Sequence, residues 1–361
     1  MKKRVAIVGT AGLPAAYGGF ETLAQNLVAN LRDLYDFTVY CKRTPRARRL
    51  SHYPGARLIY LPLHSNGWQS LPYDCLALLH AFATVDVVLY LGPVAGMILP
   101  LNGLFRKNVI VNFGGLNEWE REKLGALEKK YMFLSSRLCA RFSKVNLADN
   151  WVLQKSIKQS FQAESLVIRY GGNHVGVPED RADLEARYPF VRNPYFVSVA
   201  RAQIDNNLHV LVDAFKKLPA NRLVLISNWQ VSQYGRLMYE KACEVPNIIP
   251  LDAIYDPVEI NYIRSKAIAY IHSHSYCGTA PSLVEAICLG LPIISWDVPT
   301  NRETTRGNAL FFDSAGSLQR IIHDLTPEEL AGLKHSLRML AKEEYTWDYV
   351  CKQYAELFDR S

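Results

Sequence analysis

Residues 272–296, HSHSYCGTAPSLVEAICLGLPIISW, read as the end of a strand, a polar loop, a short helix, a glycine stop and a second buried strand. Residues 267–271 are apolar and β-prone, Pro281 and Ser282 suit a first helical turn, and Gly290 with Pro292 ends the helix before Ile293 and Ile294. The start of that helix faces the loop, so unpaired N–H groups near Gly278, Thr279 and Ser282 and the positive end of the dipole meet in a polar pocket. An anion such as a diphosphate would be stabilised there. Glu285, one turn in, can accept hydrogen bonds from a sugar hydroxyl. His272 and His274 would share one face of a strand, which makes a metal pair conceivable. No carboxylate or third ligand sits at a helpful spacing and no D-x-D motif occurs, so a metal-free site is expected. The plain alternative is a βαβ crossover whose small loop residues only turn the chain.

A second chemically suggestive stretch is the loop from Gly9 to Glu21, GTAGLPAAYGGFE. A glycine-rich turn after a first strand is where a dinucleotide pyrophosphate would sit. Yet G-x-G-x-x-G is absent, the loop is about twice the usual length, and strand two ends in Cys41, Lys42 and Arg43 instead of an acidic ribose ligand. Lys42 and Arg43 could take a 2′-phosphate, which leaves an NADP-dependent oxidoreductase open. The paired Gly18 and Gly19 before a helix suit close approach of a ligand.

These stretches need elements to position them, and the chain supplies two sets. Strands are expected at residues 4–8, 37–40, 57–61, 85–91, 109–112, 144–148 and 166–169, with helices between most of them, the first over residues 20–31. After a Gly- and Pro-bearing break at 170–181 the alternation restarts, with strands at 195–200, 222–226, 247–250, 268–272, 292–295 and 309–312. The fold class is therefore α/β, two doubly wound parallel sheets whose ligands bind at the carboxyl ends of the strands. No short internal repeat is visible.

The chain has 361 residues, 49% of them hydrophobic and 21% charged, which fits two globular domains and excludes a disordered protein. Its seven scattered cysteines form neither a disulfide frame nor a zinc pattern and read as reduced thiols. The opening Met1-Lys2-Lys3-Arg4 leads into an apolar run too short for a signal peptide, and the apolar run 87–101 is broken by Gly92, Pro93, Gly96 and Pro100. A cytoplasmic location is expected. The net charge of +7 points to anionic partners.

The pattern GTAGLPAAYGGFETLA at residues 9–24 resembles the N-terminal signature of bacterial rhamnosyltransferases within the retaining, GT-B-fold family 4 glycosyltransferases. Supporting segments are residues 148–150, 169–172, 199–201, 272–286 and 347–358, so the resemblance covers nearly the whole chain. It implies two Rossmann-like domains facing each other across a cleft. The acceptor-side domain would span 1–172, the nucleotide-sugar domain 173–343, and a final helix at 344–361 would cross back to the first domain.

The resemblance also implies roles. Arg201 matches the arginine that holds the donor diphosphate, and a guanidinium can grip phosphate oxygens in bidentate fashion. Glu285 matches the second glutamate of a spaced pair, expected at the nucleotide ribose. Cys277 stands where the first glutamate usually does, and Asn206 where a diphosphate-binding lysine usually does. Donor contacts are thus expected from Gly18, Gly19, Arg201, Asn206, His274, Cys277, Gly278, Thr279, Ala280, Ser282, Leu283 and Glu285, with Arg201 and Glu285 serving catalysis. On the acceptor side stand Tyr17, Asn112, Glu118 and Arg121, of which the last three could instead cap the helix that follows.

The implied reaction passes from dTDP-L-rhamnose through an oxocarbenium-like state with no covalent protein nucleophile and no cofactor or metal. The implied acceptor is a lipid-linked or free oligosaccharide, in the synthesis of surface polysaccharide such as O-antigen or capsule. Two basic segments could meet an anionic membrane surface as a peripheral contact: residues 42–49, and Leu134, Arg137, Leu138, Arg141, Phe142 and Lys144. Both could equally be solvated. No nucleic-acid fold accompanies the charge. A binding protein on a disabled transferase frame is the remaining alternative.

Overall fold

The computed structural model describes residues 2–15, 18–115, 125–179 and 181–360. The chain divides into two compact units, Met1–Tyr170 with Trp347–Ser361, and Gly171–Thr346. Each is built on one parallel sheet. The first contains β1 (Lys3–Val8), β2 (Tyr35–Cys41), β3 (Ala56–Tyr60), β4 (Val87–Leu91), β5 (Asn108–Asn112), β6 (Val145–Ala148) and β7 (Leu166–Val167), in the order 3-2-1-4-5-6-7. The second contains β8 (Phe196–Val199), β9 (Leu223–Ser227), β10 (Ile248–Asp252), β11 (Ala269–His272), β12 (Ile293–Trp296) and β13 (Leu310–Phe312), in the order 10-9-8-11-12-13.

The central strands read as unbroken apolar runs because helices cover both faces of each sheet. In β1 the residues Val5 and Ile7 join the core on one face, while Ala6 and Val8 join that on the other. In β8, Phe196 and Val197 divide between the two cores of the second unit in the same way. Strand order reverses between β1 and β4 and again between β8 and β11. At such a switch point the connections leave in opposite directions and open a crevice at the carboxyl ends.

The final helix, Trp347–Asp359, belongs to the first unit. Its buried residues Trp347, Val350, Cys351, Tyr354, Leu357 and Phe358 recur at helical spacing and enter the core with β1, β2 and the helix Gly19–Leu31. Tyr35 anchors its end, the phenol donating to Asp359 Oδ1 at 2.8 Å. Among the described residues no helix is long and apolar enough to cross a membrane.

Candidate active site

The crevice of the second unit is made by two loops that follow adjacent strands, residues 200–207 after β8 and 273–280 after β11. Hydrogen bonds zip them together. Ser273 Oγ donates to Asn206 O at 2.5 Å, Ser275 N and Oγ donate to Asp205 O at 3.0 and 2.9 Å, and Asn207 Nδ2 donates to Ser273 O at 3.0 Å. The polar loop residues recognisable in the sequence therefore work first on each other and fix the loop backbones.

Arg201 begins the first of these loops, and its guanidinium has no hydrogen-bond or ion-pair partner among the described residues. A cation left without a carboxylate at a switch point is suited to an anion from outside. Asn206, expected at the donor, braces the loop: it is buried, and Nδ2 donates to the Arg201 carbonyl at 2.8 Å. An amide is neutral, so it shapes the loop that a lysine would have charged.

The helix after the second loop spans Pro281–Cys288, with Ala280 at its N-cap and no side-chain cap. Leu283 and Val284 N–H groups donate back to Ala280 O, and Pro281 has no N–H, so Ser282 carries the first N–H directed out of the helix. Gly278, Thr279 and Ala280 are buried at its foot and Leu283 enters the core. Arg201 and this helix start are brought to the carboxyl ends of neighbouring strands, as the anion-site reading requires.

Glu285 has two partners that sequence reasoning missed. Arg264 Nη1 donates to its Oε2 at 2.7 Å, and His174 Nε2 lies 3.4 Å from its Oε1. Burial opposes the charge on Glu285, but the Arg264 guanidinium and His174 outweigh that cost and hold the carboxyl below its usual range. A carboxylate has about four lone-pair positions, so two partners leave room for a sugar hydroxyl. The signal for Arg264 was its place on the stripe Ile260, Ile263 and Arg264 of the helix Pro257–Ser265, an apolar face where a lone arginine needs an acid. His174 sits in the stretch read as a linker, and nothing local marked it.

His274 and Cys277 occupy the same loop. Spacing offered the histidines no third ligand, but the fold brings Cys277 Sγ within 4.8 Å of ring nitrogens of both His272 and His274.

In the first unit Gly18 is the N-cap of the helix Gly19–Leu31, with φ +101°, and an added Cβ would lie 2.5 Å from Glu21 Oε2. Glu21 turns back into the loop and accepts from Ala11 N at 2.6 Å, while Gly19 O accepts from the Tyr170 hydroxyl at 3.0 Å. Asn112 caps no helix among the described residues. It is buried at the end of β5, and its Nδ2 donates to the Tyr354 hydroxyl of the final helix, because Tyr354 is the polar group that the core side of that helix brings to the sheet. Tyr17, Glu118 and Arg121 lie outside the described residues. Lys42 and Arg43 are exposed, and their N–H groups donate to Ala11 O and Leu63 O. A surface depression of about 800 Å³ lined by Asp213, Lys216 and Lys241 lies at the amino ends of β8, β9 and β10, opposite to the site.

With this geometry in place, comparisons with known proteins give the class. Residues 180–326 match the family model described as glycosyl transferases group 1, and residues 2–173 match a domain of unknown function, DUF1972. A comparison with curated proteins finds no match. Among solved structures, sucrose-phosphate synthase from Thermosynechococcus elongatus is similar with a TM-score of 0.82 at 16% identity, covering 99% of each chain. Anabaena HepE in complex with UDP-glucose gives 0.76 at 13%, covering 99% of this chain and 100% of the other. A glycosyltransferase from Rickettsia africae gives 0.74 at 14%, covering 99% and 98%. The fold is GT-B. The second unit is a glycosyl transferases group 1 domain, which makes the protein a glycosyltransferase by class and displaces the oxidoreductase alternative.

Proposed function

We propose that this protein is a retaining glycosyltransferase that moves L-rhamnose from dTDP-L-rhamnose to a lipid-linked or free oligosaccharide in bacterial surface polysaccharide synthesis. The observation that carries the donor half is Arg201, a guanidinium without a partner among the described residues, at the switch point of a glycosyl transferases group 1 domain, in a loop bonded to the one that leads to an uncapped helix start. HepE was solved with UDP-glucose, with UDP, and with UDP and glucose, which supports a nucleoside diphosphate donor for this relative in fold. The rhamnosyl preference rests on the resemblance of residues 9–24.

In this reading Arg201 and the N–H groups near Gly278, Thr279 and Ser282 take up the charge that grows on the leaving diphosphate. Losing one such donor typically costs about 3 to 4 kcal/mol of transition-state stabilisation. Glu285, kept ionised by Arg264, accepts from a ribose hydroxyl. The departing phosphate takes the acceptor proton, so no protein nucleophile is required.

A peripheral membrane contact fits the lipid-linked acceptor. On the helix Ala126–Phe142 the residues Leu134, Arg137, Arg141 and Phe142 are exposed, and the adjoining segment Gly96–Leu101 with the helix Asn102–Phe105 exposes Met97, Leu101, Leu104 and Phe105. Apolar side chains beside basic ones match an anionic interface.

Calorimetric titration with dTDP, UDP, GDP and NADPH, beside Arg201→Ala, tests the donor site. Preferential dTDP binding that is lost in the variant is expected. Binding that ignores Arg201 would overturn the site, and preference for UDP would replace the rhamnosyl reading alone.

A further inference from the structure

We infer that His272, His274 and Cys277 form a binding site for a soft divalent metal ion of the zinc class, at the carboxyl end of β11. His272 closes that strand and is completely buried, yet neither of its ring nitrogens has a hydrogen-bond partner among the described residues. A neutral imidazole carries one donor and one acceptor, and burying either without a partner is destabilising. Nε2 of His274 is likewise buried without a partner. The two rings lie 4.2 Å apart between centroids at 46°, and Cys277 Sγ completes a set whose ligand atoms all fall within 4.8 Å of one another.

The donor chemistry selects the ion. Two imidazoles and a thiol suit zinc, copper or cobalt, whereas magnesium and calcium call for oxygen ligands that this cluster lacks. A neutral imidazole is the form that binds metal, and it offers one free nitrogen lone pair for the purpose. A tetrahedral zinc site with bonds of about 2.0 to 2.3 Å separates its ligand atoms by roughly 3.3 to 3.6 Å. The cluster therefore needs to close by at most about 1.5 Å between any two ligand atoms, a movement on the scale of side-chain rotation.

Asn301 steadies the surrounding loop. It is fully buried, its Nδ2 donates to the carbonyls of His274 and Trp296 at 3.0 Å, and its Oδ1 accepts from Cys277 Sγ at 3.6 Å. On binding, the thiol proton leaves to solvent and Sγ exchanges this weak contact for the metal. Three protein ligands leave a fourth position for water or another oxygen donor. The ion ties β11 to the loop that the Ser273 and Ser275 bonds attach to the Arg201 segment.

The test uses the full chain, purified without added metal or chelator. Elemental analysis by plasma mass spectrometry should find about one zinc-class ion per chain, and cobalt titration into the metal-stripped protein should give a thiolate-to-metal charge-transfer band with release of one proton. Cys277→Ala should abolish the band, and His274→Ala should weaken cobalt binding by more than the 10- to 100-fold typical of losing a hydrogen-bonded partner of a ligand. Circular dichroism and thermal melting establish that both variants are folded. Were one variant unfolded, cobalt binding to the other would decide. Metal bound equally by wild type and variants, or no cobalt band in wild type, would overturn the site whatever the dTDP titration gives.

Discussion

The two units share a sheet order around their first strands, 3-2-1-4-5-6, yet they treat the loops at their switch points in opposite ways. In the first unit the loop after β1 is closed by its own protein. Glu21 accepts from Ala11 N, Gln25 Oε1 accepts from Ala15 N, the Tyr73 hydroxyl donates to Thr10 O, and Lys42 N donates to Ala11 O. In the second unit the loops bond to each other through backbone carbonyls and small hydroxyls, while Arg201 and the start of the helix Pro281–Cys288 are left over. Topology makes the crevice twice, and the side chains around it decide which one has charge to offer. In the proposed reading that surplus marks the donor side.

The sharpest break of this comparison comes from glycine in the closed loop. Gly9 has φ +91°, and an added Cβ would lie 2.0 Å from the Leu91 carbonyl oxygen at the end of β4. Backbone cannot yield as a side chain can, so Gly9→Ala should cost about 4 kcal/mol or more in urea denaturation. A smaller loss would show that the first loop is less tightly closed than its contacts indicate.

Next comes the ion pair in the second unit. Arg264→Met leaves Glu285 in a mostly buried position without its cation and should cost about 3 to 5 kcal/mol. The double variant Arg264→Met with Glu285→Leu should recover much of that stability while losing nucleotide binding. Failure to recover would mean that the pair does more than neutralise itself.

Arg201→Ala should leave stability within about 0.5 kcal/mol, because the side chain has no partner to lose among the described residues. Turnover should fall by about 100- to 1000-fold. A drop in melting temperature without a drop in turnover would reverse the assignment of surplus charge to the second unit.

Much of this division was legible in the sequence. Apolar runs such as residues 5–8 and 87–91 announce strands covered on both faces, and the alternation of strands and helices announces parallel sheets, so the GT-B fold implied by the resemblance is the one observed. Local signals also marked the helix start after Ala280. What the sequence hid are partners distant along the chain. Arg264 stands 21 positions before Glu285, His174 lies in an unpatterned loop, and Asn112 finds Tyr354 across 242 positions. No periodicity encodes such pairs, since each depends on which elements the sheet order makes neighbours. The bracing role of Asn206 was hidden for a different reason: a small amide can replace a charged ligand in position while turning a hydrogen bond to the backbone.

Asp74 and Glu285, one acid from each unit, give the finest separation of the units, because they respond to pH with opposite sign. In the first unit Asp74 lies under the loop after β4, accepting from the Tyr90 hydroxyl at 3.1 Å, which in turn accepts from Ala95 N at 2.6 Å. Burial raises its carboxyl from 3.8 to about 7, against a smaller lowering by Tyr90. The folded state thus binds the proton more tightly than the unfolded chain, so stability is present at low pH and is lost as pH rises toward and through about 7. Between about pH 6 and pH 8 the loss should be about 1 to 2 kcal/mol, read from hydrogen exchange of the β4 and β5 amides. Asp74→Asn, which stays neutral and can still accept from Tyr90, should flatten that slope. Glu285 is held low by Arg264, so its contribution is complete above its unfolded value and is lost only on acidification. Amides of β11 and β12 should therefore show no such decline over the same interval, and a parallel decline in both units would mean that the closed loop and the open one do not titrate independently.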